Sequence, residues 1–206
     1  MYLTSFLAGF LSFLTLNMFL ITLFLIIAFS NFRLTTKNDK KYIALLCFSI
    51  TGLYTIFGFC LIDNIYDLWI FYNPKGLLEL IIFALNLIFS LWLTGFFRIS
   101  LFNLDKNRLL KSLMILNIAV VFTLLSFRST GTIIGATLVS FSGSQNIISQ
   151  VIPIIILSLG FVMPIGLILI LLTRIIKKIS EKKWWKIIQV IAGVIFITMS
   201  IIDYIK

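Results

Sequence analysis

Six apolar runs, each about as long as a lipid bilayer is thick, dominate the sequence. The hydrocarbon core of a bilayer is about 30 Å thick, which roughly 20 helical residues cross at about 1.5 Å each. A chain of 206 residues cannot bury six such runs in one core, so its solvent must be lipid. The sequence predicts an all-α integral membrane protein with six transmembrane helices, near 5–29, 42–62, 77–97, 112–142, 151–173 and 185–202.

Composition agrees with this class and excludes most enzyme chemistry. Only 12% of residues are charged, about half the share in an ordinary soluble domain. The chain has no His, which excludes an imidazole metal site, a Ser-His triad and a histidine proton relay. Its two Cys residues provide no disulfide framework. We therefore expect no metal, no cofactor and no enzymatic activity of a usual kind.

The positive charges predict the orientation. Fourteen of the seventeen Lys and Arg residues fall in alternate loops, at 30–41, 98–111 and 174–186. Lys and Arg remain on the cytoplasmic side of membrane proteins, so these loops are predicted inside and both termini outside. This placement accounts for the net charge of +10 without nucleic acid and makes the lipid bilayer the expected partner. The first run is too long for a secretory signal and lacks a preceding basic segment, so we expect it to be retained.

The six spans divide into two halves of opposite orientation within one transmembrane domain. Repeat 1 covers about 1–105 and repeat 2 about 106–206, and three spans in each half require the second half to lie inverted. Membrane carriers with inverted repeats place their sites near the midplane, at broken helices. A polar step at 127–132 interrupts the fourth run, and a weaker counterpart lies at 15–17.

These steps give the candidate midplane polar site. A cation at the bilayer centre costs about 2.5–3.5 kcal/mol, so Arg128 should face a cavity or a partner. The alternative is that the fourth span ends at Phe127 and Arg128 snorkels to the outer interface. The other polar groups equally fit hydrogen bonds between helices. The candidate residues are Asn17, Arg128, Ser129, Thr130, Gly131 and Thr132, and Pro153 and Pro164 are predicted helix kinks.

Several apolar motifs occur along the chain in the same order as in a known protein family. The segments FLAGFLSFLT at 6–15, GFFRISL at 95–101 and SLGFVMP at 158–164, followed by IAGV at 191–194, occur in this order. A further match, containing two glycines, covers 48–58. In these motifs the chain resembles the CcdA family of cytochrome c biogenesis proteins, the membrane part shared with the DsbD thiol:disulfide interchange proteins.

The resemblance implies a scaffold without its reaction. Family members pass electrons through one Cys in the first helix and one in the fourth, each in a Pro-Cys pair. The first pair falls on Leu16 and Asn17, and the second on Arg128 and Ser129. Neither Asn nor Ser forms a disulfide, and thiolate attack needs both sulfurs. The resemblance therefore implies a redox-inactive accessory or partner-binding protein, with a thioredoxin-like or cytochrome c maturation protein as partner.

The two cysteines lie too far apart on the second predicted span to form a disulfide with each other. Cys47 and Cys60 lie thirteen residues apart on the second span, roughly 20 Å along a helix, beyond the reach of a disulfide. We interpret them as small buried apolar residues, and the alternative is a pair of relocated redox thiols that would each require a Cys from another chain or a partner.

The alternative function is a small-solute or ion transporter with a site around Arg128. A third possibility is a structural or immunity-type membrane protein that binds another membrane protein. The expected location is a bacterial or archaeal cell membrane, with a plastid thylakoid membrane as the alternative.

Overall fold

Seven helices make up the part of the chain that the structure describes. The computed structural model describes residues 2–31, 39–63, 77–95, 108–139, 147–180 and 182–205, which contain no strand. This confirms the all-α prediction for these residues. The helices are α1 Tyr2–Phe13, α2 Leu16–Ser30, α3 Asp39–Asp63, α4 Leu77–Leu93, α5 Arg108–Val139, α6 Ile147–Ser180 and α7 Lys183–Ile205.

Three of these helices are long and apolar enough to cross a membrane. The stretches are Lys40–Gly58 in α3, Val151–Leu172 in α6 and Lys183–Ile202 in α7. Helices α1 and α2 pass the same test together, but they are bent by 71° at their junction. Shorter apolar stretches occupy Glu79–Leu93 and Lys111–Ser126. The membrane-helix prediction is confirmed for three of the six runs, and the count of six spans stays a prediction.

The helices pack as neighbours in one buried core. Helix α1 lies on α6, α3 lies against both α5 and α6, and α4 pairs with α7. Helix α2 contacts α4, α5 and α6. At the centre the ring of Tyr54 lies 4.9 Å from that of Phe161, which in turn lies 6.1 Å from Phe122. All three rings are buried, so the contact surface of α3, α5 and α6 is aromatic.

Large apolar side chains cover much of the outer surface. Leu16, Phe48, Leu171 and Ile205 each expose more than 70% of their surface, and many other large apolar side chains are exposed on every helix. In a soluble monomer an exposed apolar surface of this extent is unusual. It fits helices whose outer faces contact lipid chains.

Small residues bring α1 and α6 into backbone contact. The buried face of α1 consists of Ser5, Gly9 and Ser12. A side chain at Gly9 would overlap the carbonyl oxygen of Leu157 on α6, and one at Gly160 would overlap the carbonyl oxygen of Phe6 on α1. Each helix therefore presents a glycine to the other's backbone, as in close helix pairs of membrane proteins.

Candidate functional site

The first apolar run contains a built-in helix break. Helix α1 ends at Phe13 and α2 begins at Leu16, so only Leu14 and Thr15 separate them. The Leu14 N–H donates to Leu11 (3.0 Å) and the Thr15 N–H to Ser12 (3.4 Å), both bonds of the tight turn that ends α1. The backbone of Thr15 is extended, with φ −67° and ψ 147°. The chain changes direction at Thr15.

The break leaves the start of α2 without a cap. The Thr15 hydroxyl donates back to the Ser12 carbonyl oxygen at 3.0 Å and makes no capping bond to α2. The first N–H groups of a helix have no partner within that helix. Among the described residues, no backbone bond accounts for the N–H groups of Leu16 and Asn17. The positive end of the α2 dipole is therefore open at this position.

The structure places Asn17 on the outer surface. Its side chain is exposed, as is that of Leu16, while the next residue, Met18, is completely buried. In α2 the inward positions are Met18, Thr22 and Leu25, and Asn17 lies outside this buried stripe. Asn17 can therefore meet a group that approaches from outside the helix bundle.

The polar step in the fourth run does not interrupt its helix. Helix α5 continues from Arg108 to Val139, through positions 128–132, so the backbone break expected there is absent. Ser126 precedes the step and is fully buried, accepting a hydrogen bond from the Tyr54 hydroxyl and donating one to the Thr123 carbonyl oxygen at 2.8 Å. The side chains of Arg128, Ser129, Thr130 and Thr132 lie outside the described part, as does their spacing from Asn17.

The two prolines lie in one continuous helix. Pro153 and Pro164 are buried inside α6, which runs on past both. A helical proline frees the carbonyl oxygen four residues earlier, which for Pro164 is that of Gly160. Gly160 is the residue that touches α1. The prolines thus lie on the packed side of α6, where neighbouring helices are close.

A buried polar junction joins three helices and was not among the sequence predictions. Ser30, at the end of α2, accepts hydrogen bonds from Gln189 (2.8 Å) and from the Trp185 indole (3.0 Å), both on α7. Asn31 donates to the carbonyl oxygens of Trp92 and Leu93, which end α4. The sequence offers only weak signals for this cluster, because Ser, Asn and Gln at a loop edge are ordinary surface residues.

The remaining candidate groups are the two cysteines and any side chains that could bind a metal. Cys47 is partly buried on α3 and faces Gly166 of α6, as expected for a packing residue. The Cys60 side chain lies outside the described part. The described residues hold no cluster of three or more His, Cys, Asp or Glu side chains that could bind a metal.

Comparison with protein-family models, with curated proteins and with solved structures found no match to this chain.

Proposed function

We propose that the chain is a multi-pass membrane protein on a CcdA/DsbD-like scaffold, redox-inactive itself, which acts as an accessory or partner-binding subunit. The observation that carries this proposal is the backbone at the break. A residue before proline favours extended backbone, and proline favours the first position of a helix. Thr15 is extended and Leu16 opens α2. The resemblance assigns a proline to Leu16, so the backbone has the form that such a proline needs.

The helix packing supports two inverted repeats. We number the spans so that α1 and α2 form the first, and α3, α4, α5, α6 and α7 the second to the sixth. A two-fold operation that exchanges spans 1 and 4, 2 and 5, and 3 and 6 maps the α3–α6 and α4–α7 contacts onto themselves. It maps the α1–α6 contact onto the observed α5–α3 contact. The α2–α7 hydrogen bonds at Ser30 correspond to the observed α5–α4 contact.

The side chains at the family's thiol positions explain the loss of redox chemistry. Asn17 stands exposed in the first turn of α2, where an approaching partner can contact it. Its amide can accept and donate hydrogen bonds but cannot attack a disulfide. We propose that this position serves recognition, with a thioredoxin-like or cytochrome c maturation protein as partner. The basic loops face the cytoplasm in this proposal, and the membrane is a bacterial, archaeal or plastid one.

Engineered cysteines test the scaffold. In a background with Cys47→Ser and Cys60→Ser, the pair Asn17→Cys and Ser129→Cys should form an intramolecular disulfide on oxidation, detected as a mobility shift that reductant reverses. The matched control pair is Asn17→Cys with Ile187→Cys. Ile187 lies beside the residues that bind Ser30, which is thirteen residues, roughly 20 Å, along α2 from Asn17. A crosslink in the control alone, or in neither pair, contradicts the proposed correspondence.

A deletion strain tests the cellular role. Loss of the chain should lower cytochrome c content or alter the redox state of thiols outside the cytoplasm. Complementation with the Cys47→Ser, Cys60→Ser variant should restore both, because the proposed role needs no thiol. Unchanged cytochrome c and thiol status in the deletion strain would reject the accessory function.

The broken span also supports the alternative, a small-solute or ion transporter. Discontinuous helices with open N-terminal ends bind anionic groups in membrane carriers, and the start of α2 is uncapped. In this alternative Arg128 provides the second contact at the midplane. Purified protein in vesicles should then give a solute flux that Arg128→Leu abolishes and Lys75→Gln leaves unchanged. Equal flux in wild type and Arg128→Leu removes the reason for a transporter.

A further inference from the structure

Three helix termini are tied together at one end of the molecule. Ser30 at the end of α2 binds Trp185 and Gln189 in the first two turns of α7. Asn31 binds the last carbonyl oxygens of α4, and the Trp92 indole donates back to the Ala28 carbonyl oxygen at 2.9 Å. These bonds join buried groups of separate helices, so they fix the three termini relative to one another.

Two more termini reach the same end. Cys47 faces Gly166, while Gly58 faces Ile154, so α3 and α6 run antiparallel. The start of α3 therefore lies beside the end of α6. Helix α6 ends at Ser180 and α7 begins at Lys183, which places the end of α6 next to the start of α7. The described residues that flank the predicted basic loops at 30–41 and 174–186 therefore lie at this end of the molecule, as does the end of α4, which precedes the third predicted loop.

The charges and one aromatic ring define what we call the cationic face. Trp184 is 46% exposed, although Trp185 beside it is held by Ser30. Three of the seven Asp and Glu residues lie in the three basic loops, against fourteen of the seventeen Lys and Arg. The exposed lysines of the described part at this end are Lys40, Lys41, Lys178, Lys182, Lys183 and Lys186.

Among the residues that the structure describes, no exposed lysine lies at the opposite end of the molecule. The start of α4 meets the end of α7 there, where the rings of Phe83 and Tyr204 stack at 4.5 Å. The carboxylate of Glu79 belongs to this end, in the first turn of α4. Glu79 is therefore separated from the cationic face by the length of α4.

We propose that the cationic face binds the head groups of anionic phospholipids, with Lys182, Lys183 and Lys186 around Trp184 as its centre. Basic residues at a membrane surface attract anionic lipid, and an indole at that depth anchors in the head-group region. Lysines extend their stems along apolar surface and hold their ammonium groups at the lipid phosphates. The inference rests on the membrane placement proposed above but not on the family resemblance.

Quenching of tryptophan fluorescence by brominated lipid tests this proposal. The Trp69→Phe variant leaves Trp92, Trp184 and Trp185 as reporters, all near the cationic face. In vesicles of phosphatidylcholine, brominated phosphatidylglycerol should quench more strongly than brominated phosphatidylcholine at equal mole fraction. We expect a relative binding constant of about five or more in favour of phosphatidylglycerol. It should approach one in about 1 M salt, where charges are screened within about 3 Å.

Two variants decide the outcome. The triple substitution Lys182→Gln, Lys183→Gln and Lys186→Gln should remove most of the preference, while the control Lys75→Gln, between α3 and α4, should keep it. Equal quenching by the two lipids in the parent protein, or an undiminished preference in the triple variant, overturns the proposal. Flotation with neutral vesicles reports membrane placement separately, so loss of lipid preference and loss of membrane insertion are distinguishable.

Discussion

The first and fourth apolar runs each contain a polar step, but the backbones at the two steps differ. At 14–17 the chain leaves one helix and enters another, with a bend of 71°. The step at 128–132 holds one Gly and four hydroxyl or charged side chains, whereas 14–17 holds one hydroxyl side chain and no Gly. Helix α5 nevertheless continues through 128–132 without interruption. Polarity within an apolar run therefore does not decide where a helix breaks.

The buried faces of α1 and α2 explain the break in the first run. Helical residues advance by about 100° each, and α1 buries Ser5, Gly9 and Ser12 on one stripe. Met18, which begins the buried stripe of α2, lies six residues after Ser12, about 120° away from that stripe in a continuous helix. The break lets both stripes face the core. In α5 burial is described as far as Ser126, just before the step, and all of its buried residues except Val121 share one stripe, namely Ile115, Ile118, Ala119, Phe122, Thr123 and Ser126.

The largest expected effect is the difference in unfolding free energy between proline substitutions at the two steps. Arg128→Pro removes a backbone bond inside α5 and should cost about 3 kcal/mol of unfolding free energy. Leu16→Pro falls on the first residue of α2, after an extended residue, and should change stability by less than about 1 kcal/mol. The measurement is the unfolding midpoint in mixed detergent micelles, with Arg128→Ala and Leu16→Ala as side-chain controls. Comparable losses for the two prolines would contradict the difference between the steps.

The sequence predicts the helical class and marks 15–17 as the weaker of two candidate breaks, but it does not predict that the helix breaks there and continues through 128–132. Within the described residues each apolar run lies mostly in helix, because run length alone separates a membrane helix from a strand. The break at Thr15 depends on which faces of α1 and α2 are buried, and in an apolar run both faces look alike. The junction around Ser30 and Asn31 depends on contacts between distant residues, which spacing along the chain does not report.

The glycine contact that holds α1 in place should be the next most sensitive feature. Gly9→Ala places a methyl group against the Leu157 carbonyl oxygen and should force α1 away from α6, costing about 1–3 kcal/mol. Gly160→Ala should act alike through the Phe6 carbonyl oxygen. The matched control is Gly52→Ala on α3, where no atom lies within 4 Å of the new methyl group. Its better helix propensity should leave the protein equally or more stable in the same unfolding assay.

A smaller effect is expected at the contact between α3 and α5, where the Tyr54 hydroxyl donates to Ser126. Tyr54→Phe keeps the ring against Phe161 but removes the hydroxyl that donates to Ser126, so it should cost about 1 kcal/mol. Thr198→Val on the exposed side of α7 removes a hydroxyl that binds only its own helix at 2.9 Å, and serves as the control. A loss from Thr198→Val as large as that from Tyr54→Phe would argue against a special role for the link between α3 and α5.

The smallest effect concerns the uncapped start of α2. A Thr that caps a helix contributes about 1 kcal/mol, which its replacement by Ala removes. The Thr15 hydroxyl instead donates to Ser12 within the preceding turn, a local bond that adds little because the carbonyl already accepts the Thr15 N–H. Thr15→Ala should therefore lower the unfolding free energy by less than about 0.5 kcal/mol. A loss of 1 kcal/mol or more by the same unfolding assay would mean that Thr15 caps α2 in the membrane, and the N-terminal end of α2 would then be closed to a partner or a solute.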